Sequence, residues 1–154
     1  MSASELVVIA LGSNLGDRRG NLQWAAGRLS EYLADLRLSP VIETEPEGVP
    51  TPQPPYLNAV VTGRTAEAPR VLLDRLLQIE LERHRERLGF RSPRTLDLDL
   101  ILYGGRVLSE PGLEIPHPRF RERRFVLEPL VQIQPDLVDP LTGKTVRELL
   151  ELLV

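Results

Sequence analysis

The sequence predicts an α+β fold, a ferredoxin-like αβ sandwich in which helices pack on an antiparallel sheet, with a short C-terminal helical extension. Three observations carry that prediction. Short apolar, β-rich runs and two stretches of helical periodicity follow one another in the order β α β β α β, the split βαβ arrangement. Proline, glycine and Asn/Ser clusters separate those runs. A Thr145-x-x-Glu148 capping box then opens a last apolar segment.

Leu6 to Gly12 is an apolar run ending in a Gly/Ser/Asn turn, as expected of a buried first strand. Leu22, Ala25 or Ala26, Leu29, Leu33 and Leu36 recur at three-to-four spacing behind Asp17, a cap candidate, and predict an amphipathic helix of about four turns. Alternation from Leu36 to Thr44 and the run Tyr56 to Thr62 predict two strands. Between them EPEGVPTPQPP holds five of the fourteen prolines, so it forms neither helix nor central strand. A connector this long in a compact domain is a candidate functional loop.

Pro69 suits a first helical turn, and Val71, Leu72, Leu76 and Ile79 continue a helix to about Arg87. Pro93 biases Ser92 away from helix, and the strand RTLDLDLILY then runs to Gly104 and Gly105. EPGLEIPHPRF reads as a turn-rich connector, Glu122 to Ile133 as a helix limited by Pro129, and TVRELLELLV as the closing helix. No repeat and no boundary interrupts the chain, so residues 1–154 read as a single domain.

Composition narrows the function classes. A chain of 154 residues can bury roughly two-thirds of the surface its unfolded form exposes. With no cysteine, thiolate metal sites, disulfides and sulfur nucleophiles are excluded. The N-terminal segment has no basic start and only six consecutive apolar residues, Leu6 to Leu11, too few for a signal peptide or a membrane span, and predicts a cytoplasmic protein. A net charge of −3 argues against nucleic acid or an anionic membrane as partner. Yet 18 of the 19 basic residues are arginine, and nine fall in two windows: Arg83, Arg85, Arg87, Arg91 and Arg94, then Arg119, Arg121, Arg123 and Arg124. Arginine's planar fork suits phosphate oxygens, whereas the alternative is a pair of solvated faces.

Asp97 and Asp99 stand two residues apart on the predicted strand, so both point to one face, about 6.5–7 Å apart along the chain, while Leu96, Leu98 and Leu100 fill the other. Two carboxylates on one face repel unless the face is wet or holds cations. Mg²⁺ is held by one or two carboxylates plus substrate phosphates, and Arg94 lies three residues upstream. A wet edge strand is the competing reading. LTGKT, residues 141–145, is no phosphate-binding loop, because position 138, where the first glycine belongs, is Val138.

Taken together, LGSNLGDRRGNL (11–22), PYLNAV (55–60), PRTLDLDLILYG (93–104) and IPHPRFRERRFVLEPL (115–130) give the chain a specific resemblance. From Val7 to about Leu150 it resembles the 6-hydroxymethyl-7,8-dihydropterin pyrophosphokinases of folate biosynthesis. The resemblance implies transfer of the β,γ-diphosphate of ATP, with two Mg²⁺, to the hydroxymethyl oxygen of the reduced pterin, and release of AMP. It implies no obligate protein partner.

By that resemblance Asp97 and Asp99 are the metal ligands, and Arg94, His117 and Arg123 contact phosphate. Tyr56 and Phe125 sandwich the pterin ring, Asn58 bonds its polar edge, and Thr44 with the backbone around Gly48 completes the pterin site. Arg85 and Arg87 carry over as mobile, phosphate-neutralising residues, and Glu80 as an acidic residue near the nucleotide. Without the resemblance, Tyr56 and Phe125 read as core aromatics, His117 as a loop histidine and Glu80 as a helix-surface partner of Arg83 or His84. The sequence departs from the family pattern at His84, where a glycine is common, at Pro118 and at Glu47. It also lacks the usual tryptophan before the PRT motif, where Phe90 or Arg91 stands nearest; Trp24 is assigned to packing. The competing functions are another metal-dependent nucleotidyl or glycosyl transferase and a non-catalytic ligand-binding module.

Overall fold

In the computed structural model of the chain, residues 4–45, 53–83 and 95–153 are described. Their elements run β1 (Glu5–Ser13), α1 (Arg18–Leu29), β2 (Ala34–Leu38), β3 (Ile42–Thr44), β4 (Tyr56–Thr65), α2 (Pro69–Arg83), β5 (Asp97–Tyr103), β6 (Leu108–Glu110), β7 (Leu113–Ile115), α3 (Arg124–Ile133) and α4 (Val146–Glu151). The main sheet has the order β2-β4-β1-β5 with β3 also paired to β4, and every pairing is antiparallel. This is the expected α+β sandwich.

β1 is central because it is apolar on both faces: Val7 to Leu11 are all buried. One face, with Val7, Ile9 and Leu11, packs under α1 and α2 through Leu22, Ala25, Leu29, Leu72, Leu76 and Ile79. The opposite face, with Val8, Ala10, Val60 and Ile101, is covered by Phe120, Val126, Leu127 and Leu130 and by Val146 and Leu149 of α4. The Thr145 hydroxyl accepts from Glu148 N (3.1 Å) and Glu148 accepts from Thr145 N (2.9 Å), so the capping box forms as the sequence predicts.

Four sequence expectations are corrected. The first helix ends at Leu29, where the Ser30 hydroxyl bonds the Gly27 carbonyl; Leu36 belongs to β2, reached through Asp35 at a left-handed φ of 53°. Leu33 and Leu36 keep helical spacing because both still face the same core. The Leu36–Thr44 run is two strands, because buried Ser39 receives Val60 N on its hydroxyl and Pro40 interrupts the ladder. The connector after β5 contains the hairpin β6–β7, and a 3₁₀ turn at Phe120–Glu122 precedes α3, which starts at Arg124 and accommodates Pro129. β4 runs on to Thr65, three residues past the expected end. The second helix is described to Arg83, and its expected last residues lie outside the described segments.

Candidate active site

Register builds the site. Ile42 of β3, Asn58 of β4, Gly12 of β1 and Asp97 of β5 form one row across four strands, and the neighbouring row joins Val60, Ala10 and Asp99. Cross-strand partners share a face, so Asn58, Asp97 and Asp99 stand on the side that carries Val8 and Val60 further along. There α3 begins too late to cover the sheet. The uncovered end is a cavity of about 710 Å³ lined among others by Thr44, Tyr56, Asn58, Asp97, Asp99, Arg123 and Phe125.

Thus seven residues singled out in the sequence line one space. Asp97 is half-buried and Asp99 exposed, while Leu96, Leu98 and Leu100 are buried on the far face, as alternation predicts. Asn58 Nδ2 donates to the Thr44 hydroxyl at 2.7 Å, which turns its amide over the sheet; a Cβ at Gly12 would lie 3.3 Å from Asn58 Oδ1 and 3.6 Å from Tyr56 Cδ1. Phe125 enters from α3 with the Arg123 guanidinium 5.5 Å from its ring centroid.

His117 is held beside this space by its backbone N–H, which donates to the Ile101 carbonyl at 2.9 Å. Its Nδ1 accepts from Arg119 N at 3.1 Å, so in the neutral ring the proton sits on Nε2. Burial pushes the imidazole below its ordinary value; Asp99 opposes that shift, and Arg123 and Arg119 reinforce it. The lowered value favours the neutral ring, whose Nε2–H is a donor.

Glu80, from α2, accepts a hydrogen bond from Leu98 N at 2.7 Å. That amide lies between the two aspartates on the edge strand, so Glu80 satisfies a donor that β1 cannot reach. Arg83 bonds Asn21 at 3.0 Å and covers the Trp24 ring at 4.8 Å, leaving Trp24 as packing. Gly48, His84, Arg85, Arg87, Phe90, Arg91 and Arg94 lie outside the described residues.

Sequence reasoning missed the small floor, Ala10 and Gly12, and the cavity residues Glu43, Glu122 and Glu128, whereas Arg124, from the second arginine window, does line the cavity. The floor had a signal, since Ala10 and Gly12 are the smallest residues at alternate positions of an otherwise large apolar run. It also missed the grip of the β1–α1 turn. Buried Asn14 donates to Gln53 Oε1 (3.0 Å) and the Pro54 carbonyl (3.3 Å), and Arg18 donates to the Pro55 carbonyl (2.7 Å) and Glu43 (3.4 Å).

Among the described residues no group of three or more His, Asp or Glu side chains could hold a metal ion. A carboxylate pair without a third protein ligand fits a hard cation that takes its remaining oxygens from phosphate and water.

Fold and cavity together define a class: an α+β protein whose antiparallel sheet carries an open cavity lined by acidic, basic and aromatic side chains. Residues 8–135 match the family model for 7,8-dihydro-6-hydroxymethylpterin-pyrophosphokinase. The chain belongs to this family. It is 45% identical over 151 residues to a 2-amino-4-hydroxy-6-hydroxymethyldihydropteridine pyrophosphokinase of Synechocystis sp., covering 94% of this chain and 74% of the relative. It is 44% identical over 147 residues to the Pseudomonas aeruginosa protein of that name, covering 94% and 89%. A folate synthesis bifunctional protein of Arabidopsis thaliana matches 84% of this chain at 47% identity, but the match spans only 27% of that longer protein. Among solved structures, a Plasmodium falciparum HPPK-DHPS with pteroate superposes with a TM-score of 0.77 over 98% of this chain and 44% of that one; at 14% identity it shares the fold.

Proposed function

We propose that this protein transfers the β,γ-diphosphate of ATP to the hydroxymethyl group of 6-hydroxymethyl-7,8-dihydropterin, giving the pterin diphosphate and AMP, in folate biosynthesis. Family membership supports an ATP-dependent pyrophosphokinase; we assign residues 1–154 to one such domain and place its action in the cytoplasm. The observation that carries the reading is the single row in which Asn58, Gly12 and Asp97 stand side by side: it sets a pterin-sized floor directly beside a carboxylate pair.

The roles follow from the chemistry of each side chain. Tyr56 and Phe125 offer aromatic faces to a flat bicycle. Asn58, steadied by Thr44, can donate and accept at the pterin's polar edge, and the backbone at Gly48 completes that end. Asp97 and Asp99 are assigned as ligands of two Mg²⁺, which when bound neutralise the polyphosphate. The pterin oxygen forms a bond to the β-phosphorus as the bond from that phosphorus to the AMP oxygen breaks, and the hydroxyl proton passes to water. Arg123 and the His117 Nε2–H face the transferring phosphates, with Arg94, Arg85 and Arg87 assigned to the same charge, and Glu80 stays at the nucleotide end where it braces the aspartate strand. The protein contributes position and charge, since diphosphoryl transfer asks little covalent work of it.

The test is product identity. With ATP, Mg²⁺ and the pterin, AMP should appear, and omission of pterin or addition of EDTA should abolish it. Release of free diphosphate would point instead to a nucleotidyl transferase, and ATP binding without turnover to a ligand-binding module.

A further inference from the structure

The two residues just ahead of Tyr56 offer no backbone donor. Pro54 and Pro55 have no N–H, so their carbonyls are the backbone handles available to fix the chain ahead of β4. Both carbonyls are taken where β1 passes into α1: Pro54 by Asn14 of the turn at 3.3 Å and Pro55 by Arg18, the first residue of α1, at 2.7 Å. Arg18 also reaches Glu43 at 3.4 Å, one residue before Thr44 on β3. With 28% and 56% of the two side chains exposed, that ion pair is weak; the bond to the Pro55 carbonyl is the stronger contact.

We propose that Arg18 is a positioning residue for the pterin end of the site: by holding the Pro55 carbonyl and Glu43 together it fixes the Tyr56 ring against the cavity. This rests on the assignment of Tyr56 to the pterin face. Arg18 is absent from the cavity lining, so it acts through Tyr56 and not by contact. One guanidinium bridges the strand that carries Thr44 and the strand that carries Tyr56 and Asn58, whose mutual register sets the width of the pterin site.

The experiment is steady-state kinetics on Arg18→Ala, Arg18→Lys, Tyr56→Ala and the Arg18→Ala/Tyr56→Ala double variant, with amide exchange at residues 56 and 57. Arg18→Ala is expected to raise the pterin KM about tenfold, the fold-change of one charge-assisted hydrogen bond, with kcat and the ATP KM changed less than about twofold. Arg18→Lys, which keeps one cationic donor for the Pro55 carbonyl, should recover most of the loss. In the Tyr56→Ala background, Arg18→Ala should add less than about twofold, the non-additivity expected of residues acting through one another. An unchanged pterin KM in Arg18→Ala, a parallel rise in the ATP KM, or full additivity in the double variant would each overturn the positioning role. If Tyr56→Ala alone leaves the pterin KM unchanged, the assignment of Tyr56 fails; faster exchange at 56 and 57 in Arg18→Ala would then reduce Arg18 to a structural anchor, and unchanged exchange would remove even that.

Discussion

Removing either carboxylate of the aspartate pair should separate chemistry from folding. At about 4 Å and an effective dielectric near 20, a carboxylate and a single positive charge attract by about 4 kcal/mol. Half-buried Asp97 retains much of such a term, whereas exposed Asp99 is screened and retains less. A loss of about 2.7 kcal/mol corresponds to a hundredfold in rate, so Asp97→Ala and Asp99→Ala should each lower turnover at least about a hundredfold, Asp97→Ala the more. Without metal Asp99→Ala should not destabilise the fold, because it removes like-charge repulsion between strand neighbours. Thermal unfolding with and without MgATP, beside AMP formation under saturating substrates, reads both quantities. Parent protein should gain more in Tm from MgATP than either variant. Turnover within about tenfold of the parent in both variants, with their Tm retained, would refute the metal-ligand assignment.

Stability predictions come from groups away from the cavity. Asp139 is 1% exposed and accepts from Arg121 at 2.5 and 2.9 Å and from Thr142 and Leu141; burial pushes its carboxyl up, but these bonds outweigh it and hold the group below the usual carboxylate range. Its stabilisation is therefore present above the unfolded value and lost as pH falls through the folded one. Arg121→Met should cost about 2–4 kcal/mol at pH 7 and, with burial then dominant, the deficit should shrink as pH falls toward about 4; a pH-independent deficit in urea melts would contradict this. Gly63→Ala places a Cβ 2.9 Å from Leu33 Cβ and should destabilise by about 1–3 kcal/mol in the same assay, whereas an unchanged midpoint would show that the chain at Leu33 yields freely. Thr62 buries a hydroxyl with no hydrogen-bond partner among the described residues, so Thr62→Val should raise stability by about 1 kcal/mol; a lower Tm would mean the hydroxyl is satisfied in solution.

The most legible parts of the sequence were those written in local periodicity. Alternation placed Asp97 and Asp99 on one face and three leucines on the other, and the Thr145–Glu148 box marked a helix start to the residue. Three-residue strands such as β3, β6 and β7 carry too few positions to show a period, which is why Leu36–Thr44 read as one strand and the hairpin as a connector. The end of α1 was hidden because Leu33 and Leu36 continue to serve the same core after the helix stops. The site itself is a product of register. Ile42, Asn58, Gly12 and Asp97 become neighbours only when four strands align, so their identities were readable singly and their adjacency was not. Motif resemblance supplied most of that adjacency for the residues assigned to pterin and phosphate, but said nothing of Ala10, Gly12 or Arg18.

The graded face of the sheet has a consequence for how this protein can change. Along β1 the side chains shrink from Val8 through Ala10 to Gly12, while β4 passes from Val60 to Asn58 and β5 from Ile101 to Asp99 and Asp97. One end of the same surface is solid and carries the cooperative packing; the other is hollow and contributes little to it. Replacements at the hollow end should be felt first by the bound molecule and only weakly by the fold. Substrate preference can therefore drift by single steps on a scaffold that stays folded, while the solid end remains closed to change.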